Sequence, residues 1–377
     1  MADPQDQPPE TGVGAQYRYP CEQCGSDLRF APGQTVLKCD HCGHEQAIAP
    51  PARQKVLGEI DYYAALRAEL PASSMEEKRV TSCPNCGAQV TFDGASHAAQ
   101  CPFCATPVVA DTGLHRQIKP QALVPFRLDE PTARSAMSAW LGQLWFAPNG
   151  LQDYARKGRR LEGMYVPYWT HDADSKSRYR GQRGDHYYET RTVTVNVNGR
   201  NEQRQEQVQR TRWSPASGRV ARQFDDVLVM ASTSLPRTYA DGLEPWDLAA
   251  LVAYAPDYLA GFRAEGYTVS LEDGHGIARQ KIDAVIENDV RHAIGGDVQR
   301  IDTIETDLAA ETFKHILLPV WMAAYKYRDK TYRFIVNAQS GKVQGERPYS
   351  AWKIAFAVIL GLIVAGIAAY VFRQQQQ

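Results

Sequence analysis

No cysteine occurs after residue 104 of this 377-residue chain, although the chain holds 8. The larger, later part therefore has no thiol for catalysis or for disulfides. Net charge is nearly absent as well: 42 Lys+Arg stand against 43 Asp+Glu, a balance of −1. That excludes an overall polycation built for nucleic acid. Mean hydropathy is −0.44, too polar for a polytopic transporter. Several catalytic signatures are missing. No G-x-x-x-x-G-K-[ST] loop occurs, because Gly341-Lys342 lacks both the upstream Gly and the Ser/Thr. A P-loop NTPase is thus excluded. His44-Glu45 begins a metalloprotease pair, but residue 48 is Ile. Gly274-x-Gly276 leads to Arg279, which breaks the dinucleotide fingerprint, and no G-x-S-x-G elbow exists. Met1–Gln16 has no apolar run, so no secretory signal is expected and residues 1–16 read as disordered.

What is present sits at the two ends. The cysteines fall as Cys21-x2-Cys24, Cys39-x2-Cys42, Cys83-x2-Cys86 and Cys101-x2-Cys104. The gap from Cys24 to Cys39 equals the gap from Cys86 to Cys101, so one pattern occurs twice. A two-residue gap lets a tight turn aim two thiolates at one point. The small residues that follow (Gly25, Gly43, Gly87, Ala105) let backbone N–H groups approach the sulfurs. Four thiolates make a closed tetrahedral zinc site, with no open position for a catalytic water. Two zinc ions per chain are expected. The alternative, two pairs of disulfides, requires an oxidising compartment. His41 and His44 read as exposed knuckle residues rather than ligands.

At the other end, Ile354–Phe372 is an apolar run without a charge. As a helix it spans about 28 Å, close to the hydrocarbon thickness of a bilayer. Trp352 and Lys353 on one side, and Tyr370 and Arg373 on the other, suit the interfaces. Arg333, Lys342, Arg347 and Lys353 precede the span and only Arg373 follows it. The positive-inside bias then keeps the N-terminal bulk in the cytoplasm. The expectation is a tail-anchored, single-pass membrane protein. A reducing cytoplasm agrees with thiolates kept for zinc. Gly361, Ala365 and Ala369 follow a small-xxx-small spacing that suits helix pairing, so a homo-oligomer is an option.

Between the ends the pattern predicts an α+β architecture. The expected units are zinc ribbon 1 at 17–47, a linker with a short helix at 48–80, zinc ribbon 2 at 81–110, an α+β cytoplasmic domain at 115–350 and a transmembrane helix at 352–373. Asp129-Glu130-Pro131 reads as a helix start. Helices are also predicted over 246–262 and 277–292. Short strands are read at Met164–Trp169, Ser177–Arg180 and Thr192–Val197, the last running into an Asn198-Gly199 hairpin turn. Residues 304–346 read as further strands, with a Ser340-Gly341 turn. Val166-Pro167-Tyr168-Trp169 and Leu318-Pro319-Val320-Trp321 echo each other.

Charge is distributed unevenly. Residues 1–110 carry 8 Lys+Arg against 13 Asp+Glu, whereas 156–222 carry 15 against 7. An acidic ribbon region suits a protein partner better than nucleic acid. The basic segment is either a solvated face or a contact for anionic lipid headgroups. His171-Asp172-Ala173-Asp174 is the best acid/base or metal cluster outside the ribbons, and a polar strand end explains it equally well. His275, His292 and His315 look isolated. No catalytic residue and no organic cofactor is expected.

The two four-cysteine sets, the stretches Ile118–Pro120 and Val124–Phe126, the strand Leu318–Trp321, the turn Val336–Val343 and Gly345–Tyr349 before the C-terminal span form a combination. Together they resemble bacterial membrane proteins with transcription-factor-IIB-type zinc ribbons. Such proteins are often labelled primosomal protein N′ (replication factor Y), a superfamily II helicase. This chain lacks that helicase's nucleotide-binding loop, so helicase activity does not carry over. Zinc binding at the eight cysteines does. Some relatives resemble components of membrane-stress modules alongside phage-shock-type or flotillin-like (SPFH) proteins. The resemblance implies a bacterial inner membrane as the location, and a non-enzymatic adaptor or scaffold for cytoplasmic or membrane proteins. The alternative is a nucleic-acid-associated factor tethered to the membrane.

Overall fold

The computed structural model describes residues 19–48, 58–67, 70, 74–83, 87–91, 98–100, 107–109, 114–143, 161–197, 200–327, 330–346 and 351–375. Cys86, Cys101, Cys104, the Asn198-Gly199 turn, the basic cluster 156–160 and the segment 1–16 lie outside the described residues.

The first cysteine region folds as an antiparallel three-stranded sheet of β1 (Leu28–Phe30), β2 (Val36–Cys39) and β3 (Glu45–Ala47). Next come β4 (Ile60–Asp61) and the single-turn helix α1 (Tyr62–Leu66), whose N-terminus is capped by the Asp61 carboxylate. This stretch belongs to the segment 48–80. Its β4 pairs with a strand from late in the chain, Ile60 standing opposite Phe313. Around the second cysteine region run β5 (Met75–Ser82), β6 (Gln89–Thr91), β7 (Ala98–Gln100), β8 (Pro107–Val109) and β9 (Leu114–Ile118). They form the sheet β6-β5-β9 and the pair β7-β8.

The main sheet has nine strands. They are β4, β10 (Ala122–Leu123), β11 (Glu162–Val197), β12 (Arg200–Met230), β13 (Val252–Ala253), β14 (Arg263–Ala264), β15 (Val298–Tyr327), β16 (Lys330–Asn337) and β17 (Val343–Gly345). Among the described residues three helices accompany it, α2 (Glu130–Gly142), α3 (Arg237–Gly242) and α4 (Leu271–Ile294), and α5 (Ala351–Gln375) follows. Most strand pairs are antiparallel, and α+β is the class. The two Pro-x-Trp echoes are direct neighbours, because Val166 sits opposite Leu318 and Pro167 opposite Leu317.

Alternation along the inner strands buries both faces. Met164, Val166, Tyr168, Ile316, Leu318 and Val320 turn to one core, covered by α3 and the chain after it. Tyr165, Leu317, Trp321, Phe334 and Val336 turn to the other, with Phe126 and α2 residues Met137 and Leu141. Such two-sided burial is why these stretches read as unbroken apolar runs.

Three elements differ from the sequence expectation. The separate strands between 164 and 197 are one 36-residue strand, β11, paired with β12 (31 residues) and β15 (30 residues). Gly181 and the Asp172/Asp174 pair resemble breaks in sequence. In the fold they sit at two bulges, after His171 and between Arg180 and Gly181. A Cβ on Gly181 would lie 2.3 Å from the Arg300 carbonyl oxygen, so only glycine permits the second bulge. The helix expected over 246–262 is instead two 3₁₀ turns flanking β13. Pro256 would fall in that helix's interior, removing one N–H and clashing with the carbonyl four residues back. Finally, α4 begins at Leu271, not 277, with the Ser270 hydroxyl accepting from the Asp273 N–H at 3.0 Å. Its glycines hide this first turn in the sequence.

Helix α4 buries one stripe: Leu271, Gly274, Ala278, Ile282, Ile286, Val290 and Ile294. The later part of this stripe, from Ile282, packs on Ala173, Tyr179 and Phe224 of the long strands, and Leu271 and Ala278 pack with Trp169 and Phe313. Full burial of one such Ile contributes about 1.5–3 kcal/mol. Gly274 is required where α4 crosses Trp169, since a Cβ there would lie 2.6 Å from the indole Cδ1. Beyond Gly184, which is paired with Val298, β11 leaves β15 and continues with β12 alone to the Val197–Arg200 pair. This two-stranded arm is about 43 Å long at about 3.3 Å per residue.

Candidate metal centre

Three of the four knuckles are described at their first cysteine, and they share one backbone design. Gly25, Gly43 and Gly87 donate to the carbonyls of Cys21, Cys39 and Cys83 at 2.8, 2.9 and 2.9 Å. Cys21, Cys39 and Cys83 donate in turn to Ser26, His44 and Ala88 at 2.7, 2.9 and 2.8 Å. All three glycines have φ between 74 and 76°, the left-handed conformation that closes the turn.

Cys21, Cys24, Cys39 and Cys42 bring their four sulfurs within 4.8 Å of one another. The Cys21–Cys42 and Cys24–Cys39 sulfurs are each 3.5 Å apart, far beyond the about 2.05 Å of a disulfide. A zinc–sulfur bond of about 2.3 Å places tetrahedral sulfurs about 3.8 Å apart, so the four thiols fit one metal ion. Cys21 and Cys39 are buried, and Cys24 and Cys42 are exposed. The backbone and hydroxyl of Ser26 hold the Cys24 thiol down at about 6. Cys42 is pushed up to about 12: an N–H from His44 opposes the rise, but desolvation and the sulfurs of Cys24, Cys21 and Cys39 outweigh it. Four sulfurs this close do not all ionise without a cation among them. His41 is exposed and neither His41 nor His44 joins the cluster. Of the second expected set, Cys83 is buried, and Cys86, Cys101 and Cys104 lie outside the described residues.

The three-stranded cysteine sheet is seated on the main sheet. Phe30 donates its N–H to the Ala260 carbonyl at 3.0 Å, and Gly33 to that of Phe126 at 2.8 Å. The Phe30 ring meets Tyr258 and Phe262 edge-on at 5.2 and 6.4 Å. Cys21, Leu28, Phe30, Leu37 and Cys39 thus belong to one core with Phe126, Tyr165 and Trp321. The alternating Leu28-x-Phe30 signal for this docking is present in sequence, but its target is not.

A second acidic group, Glu59, Asp172 and Asp225, also has its oxygens within 4.8 Å of one another. The Lys314 ammonium already pairs with two of these three, Glu59 and Asp172, and with Asp226 beside them. It lies 3.0 Å from Asp226, 3.2 Å from Glu59 and 3.5 Å from Asp172. Burial would lower the Lys314 pKa, but the contact with Asp226 and the charges of Asp172, Asp226 and Glu59 hold it above the ordinary value. Burial raises Asp172, whereas the Thr312 hydroxyl and Lys314 lower Glu59.

Beside this network His171 is buried, at the bulge rather than at a strand end. Burial and the neighbouring His275 lower its pKa to about 4, and among the described residues its Nε2 has no hydrogen-bond partner. His275 is not isolated: its Nε2 lies 2.6 Å from Glu311, which also accepts from the Tyr63 hydroxyl at 2.7 Å. The Tyr62 ring stacks on His275 at 4.0 Å. His315 Nδ1 lies 2.7 Å from the Ile118 carbonyl oxygen, and His292 Nδ1 lies 2.7 Å from that of Asn288. The Tyr62, Tyr63, His275 and Glu311 contacts weld α1 to α4 and β15.

Among the described residues one helix is long and apolar enough to cross a membrane. Its Ala355–Gln374 window has mean hydropathy 2.6 and none of it is buried against the rest of the chain.

No family model matches the chain, and no solved structure matches it. The chain is similar over 340 residues to "Uncharacterized protein YdjG" of Bacillus subtilis (strain 168), at 25% identity, covering 89% of this chain and 92% of that protein.

Proposed function

We propose that this protein is a tail-anchored, single-pass inner-membrane adaptor that presents zinc-ribbon surfaces to cytoplasmic partners and catalyses no reaction. The observation that supports this reading best is the cluster of four cysteine sulfurs seated on a body that carries an uncovered apolar helix. A site with four sulfur ligands stabilises a fold and offers no position for a substrate. The second set, Cys83, Cys86, Cys101 and Cys104, holds a second zinc in this proposal, because Cys83 repeats the backbone design of Cys21 and Cys39. Its ribbon is the candidate partner surface. The resemblance to proteins of membrane-stress modules suggests a flotillin-like or phage-shock-type client.

The test is co-purification of the full chain from a detergent extract, with partners identified by mass spectrometry. A specific partner lost in the Cys83→Ser/Cys86→Ser variant is the expected result. Recovery of no specific protein, or of the same set with the variant, would refute the adaptor role.

A further inference from the structure

The long strands present a second face, turned away from α4. After the bulge at His171, odd-numbered residues of β11 are buried toward the helix, while Asp174, Lys176, Arg178 and Arg180 are exposed. Residues directly opposite one another share a face, so the register maps it row by row. Arg219, Arg178 and Glu305 form one row across β12, β11 and β15, and Ser217, Arg180 and Thr303 form the next. These six side chains line a groove of about 520 Å³.

The charge arrangement in this groove is unfavourable for the chain alone. Arg178 and Arg219 stand directly opposite on neighbouring strands, and like charges so placed destabilise a sheet. Glu305 offsets little: it lies 4.0 Å from Arg178 with both side chains about two-thirds exposed, 63% and 66%. Arg180 reaches the Thr303 hydroxyl at 3.4 Å. Among the described residues neither Arg180 nor Arg219 has a carboxylate within ion-pair distance. Toward the tip the same face loses charge, with Thr190, Thr192 and Thr194 opposite Gln207, Gln205 and Gln203. Three guanidinium groups are therefore gathered around two hydroxyls at one place. Guanidinium forks match the oxygens of a phosphate group, and hydroxyls complete the donor set.

We infer that this groove binds a phosphate group, carried either by a lipid headgroup or by a soluble phosphate compound. The inference is independent of the adaptor reading, since no ribbon residue takes part. The test uses the full chain in phosphatidylcholine nanodiscs, titrated calorimetrically with pyrophosphate. The variant Arg178→Gln/Arg180→Gln/Arg219→Gln is compared with Arg191→Gln/Arg204→Gln/Arg212→Gln. The second removes the same charge from the opposite face of the arm, where the register pairs Val193 with Arg204 and Asp185 with Arg212. All six positions are exposed, and near-UV circular dichroism checks that both variants fold. At least a tenfold loss of affinity is expected in the first and less than twofold in the second. No binding by the unaltered protein, or equal losses in both variants, overturns the inference. A repeat in phosphatidic acid nanodiscs separates the sources. A lipid headgroup competes there and weakens pyrophosphate binding, while a soluble ligand's site is unaffected.

Discussion

Replacement of Lys314 by Met should cost the protein about 3–5 kcal/mol. Lys314 is only 6% exposed, and its ammonium is the cation between Glu59, Asp172 and Asp226, at 3.2, 3.5 and 3.0 Å. Methionine keeps the volume, so little packing is lost. What remains is a group of carboxylates without a counter-charge, the situation in which breaking a buried pair costs about 3–5 kcal/mol. For a domain of this size that corresponds to a fall in Tm of roughly 6–20 °C. The pH dependence gives the sharper check. Loss of the ammonium, which lowers both, raises the folded-state pKa of Glu59 and Asp172. A raised carboxylate opposes folding above its unfolded pKa, and the opposition vanishes as it takes up a proton. The gap between wild type and variant should therefore narrow as pH falls from 7.5 to 5. The assay is thermal unfolding of the full chain in detergent, followed by near-UV circular dichroism at both pH values. A penalty below about 1 kcal/mol, or one of equal size at both pH values, would refute the electrostatic reasoning.

Two glycines of α4 should respond oppositely to alanine. Gly276 has open space around a Cβ, so Gly276→Ala should stabilise by about 0.5–1 kcal/mol, whereas Gly274→Ala drives a Cβ into Trp169 and should destabilise by about 1–3 kcal/mol; chemical denaturation of both variants decides. His171 is held near 4, below its unfolded value, so the protein should lose stability as pH falls through 6.5 toward 4. His171→Phe should remove roughly 2–3 kcal/mol of that loss in the unfolding free energy measured by denaturant between pH 6.5 and 4.5. Cys39→Ser should lower bound zinc by one equivalent in elemental analysis and release the Phe30 contact, read as faster proteolysis within residues 19–48; unchanged zinc would contradict the four-thiolate centre.

The features most legible in the sequence are those set by short-range chemistry. The knuckle glycines must take a positive φ, the Asp129 cap announces α2, and a charge-free run announces α5. A hairpin joining β11 to β12 is announced by Asn198-Gly199, although the length of its strands is not. Length fails because a strand paired on both sides tolerates residues that punctuate a loop. Gly181 is a bulge partner and Asp172 is held by Lys314, and neither partner can be known before the fold brings it near. The same holds for His275 and Glu311, 36 residues apart in sequence and 2.6 Å apart in space. The docking of the first cysteine sheet through Phe30 is hidden for that reason too.

The register of the main sheet also sets an order of events during synthesis. Gly184 on β11 pairs with Val298 on β15, so the chain must grow as far as Val298 before that pairing can form. At about 5–20 residues per second the wait is roughly 6–23 s. Through that interval β11 and β12 can zip as a hairpin, but the inner edge of β11 has no neighbour. Strand β15 is the central member that closes the sheet on β11, β10, β16 and β4, and the apolar helix α5 begins at Ala351, soon after β15 ends at Tyr327. Completion of the fold and delivery of that helix therefore fall within the same few seconds. A pause in synthesis before Val298 leaves the inner edge of β11 open, and α5 emerges uncovered whichever comes first.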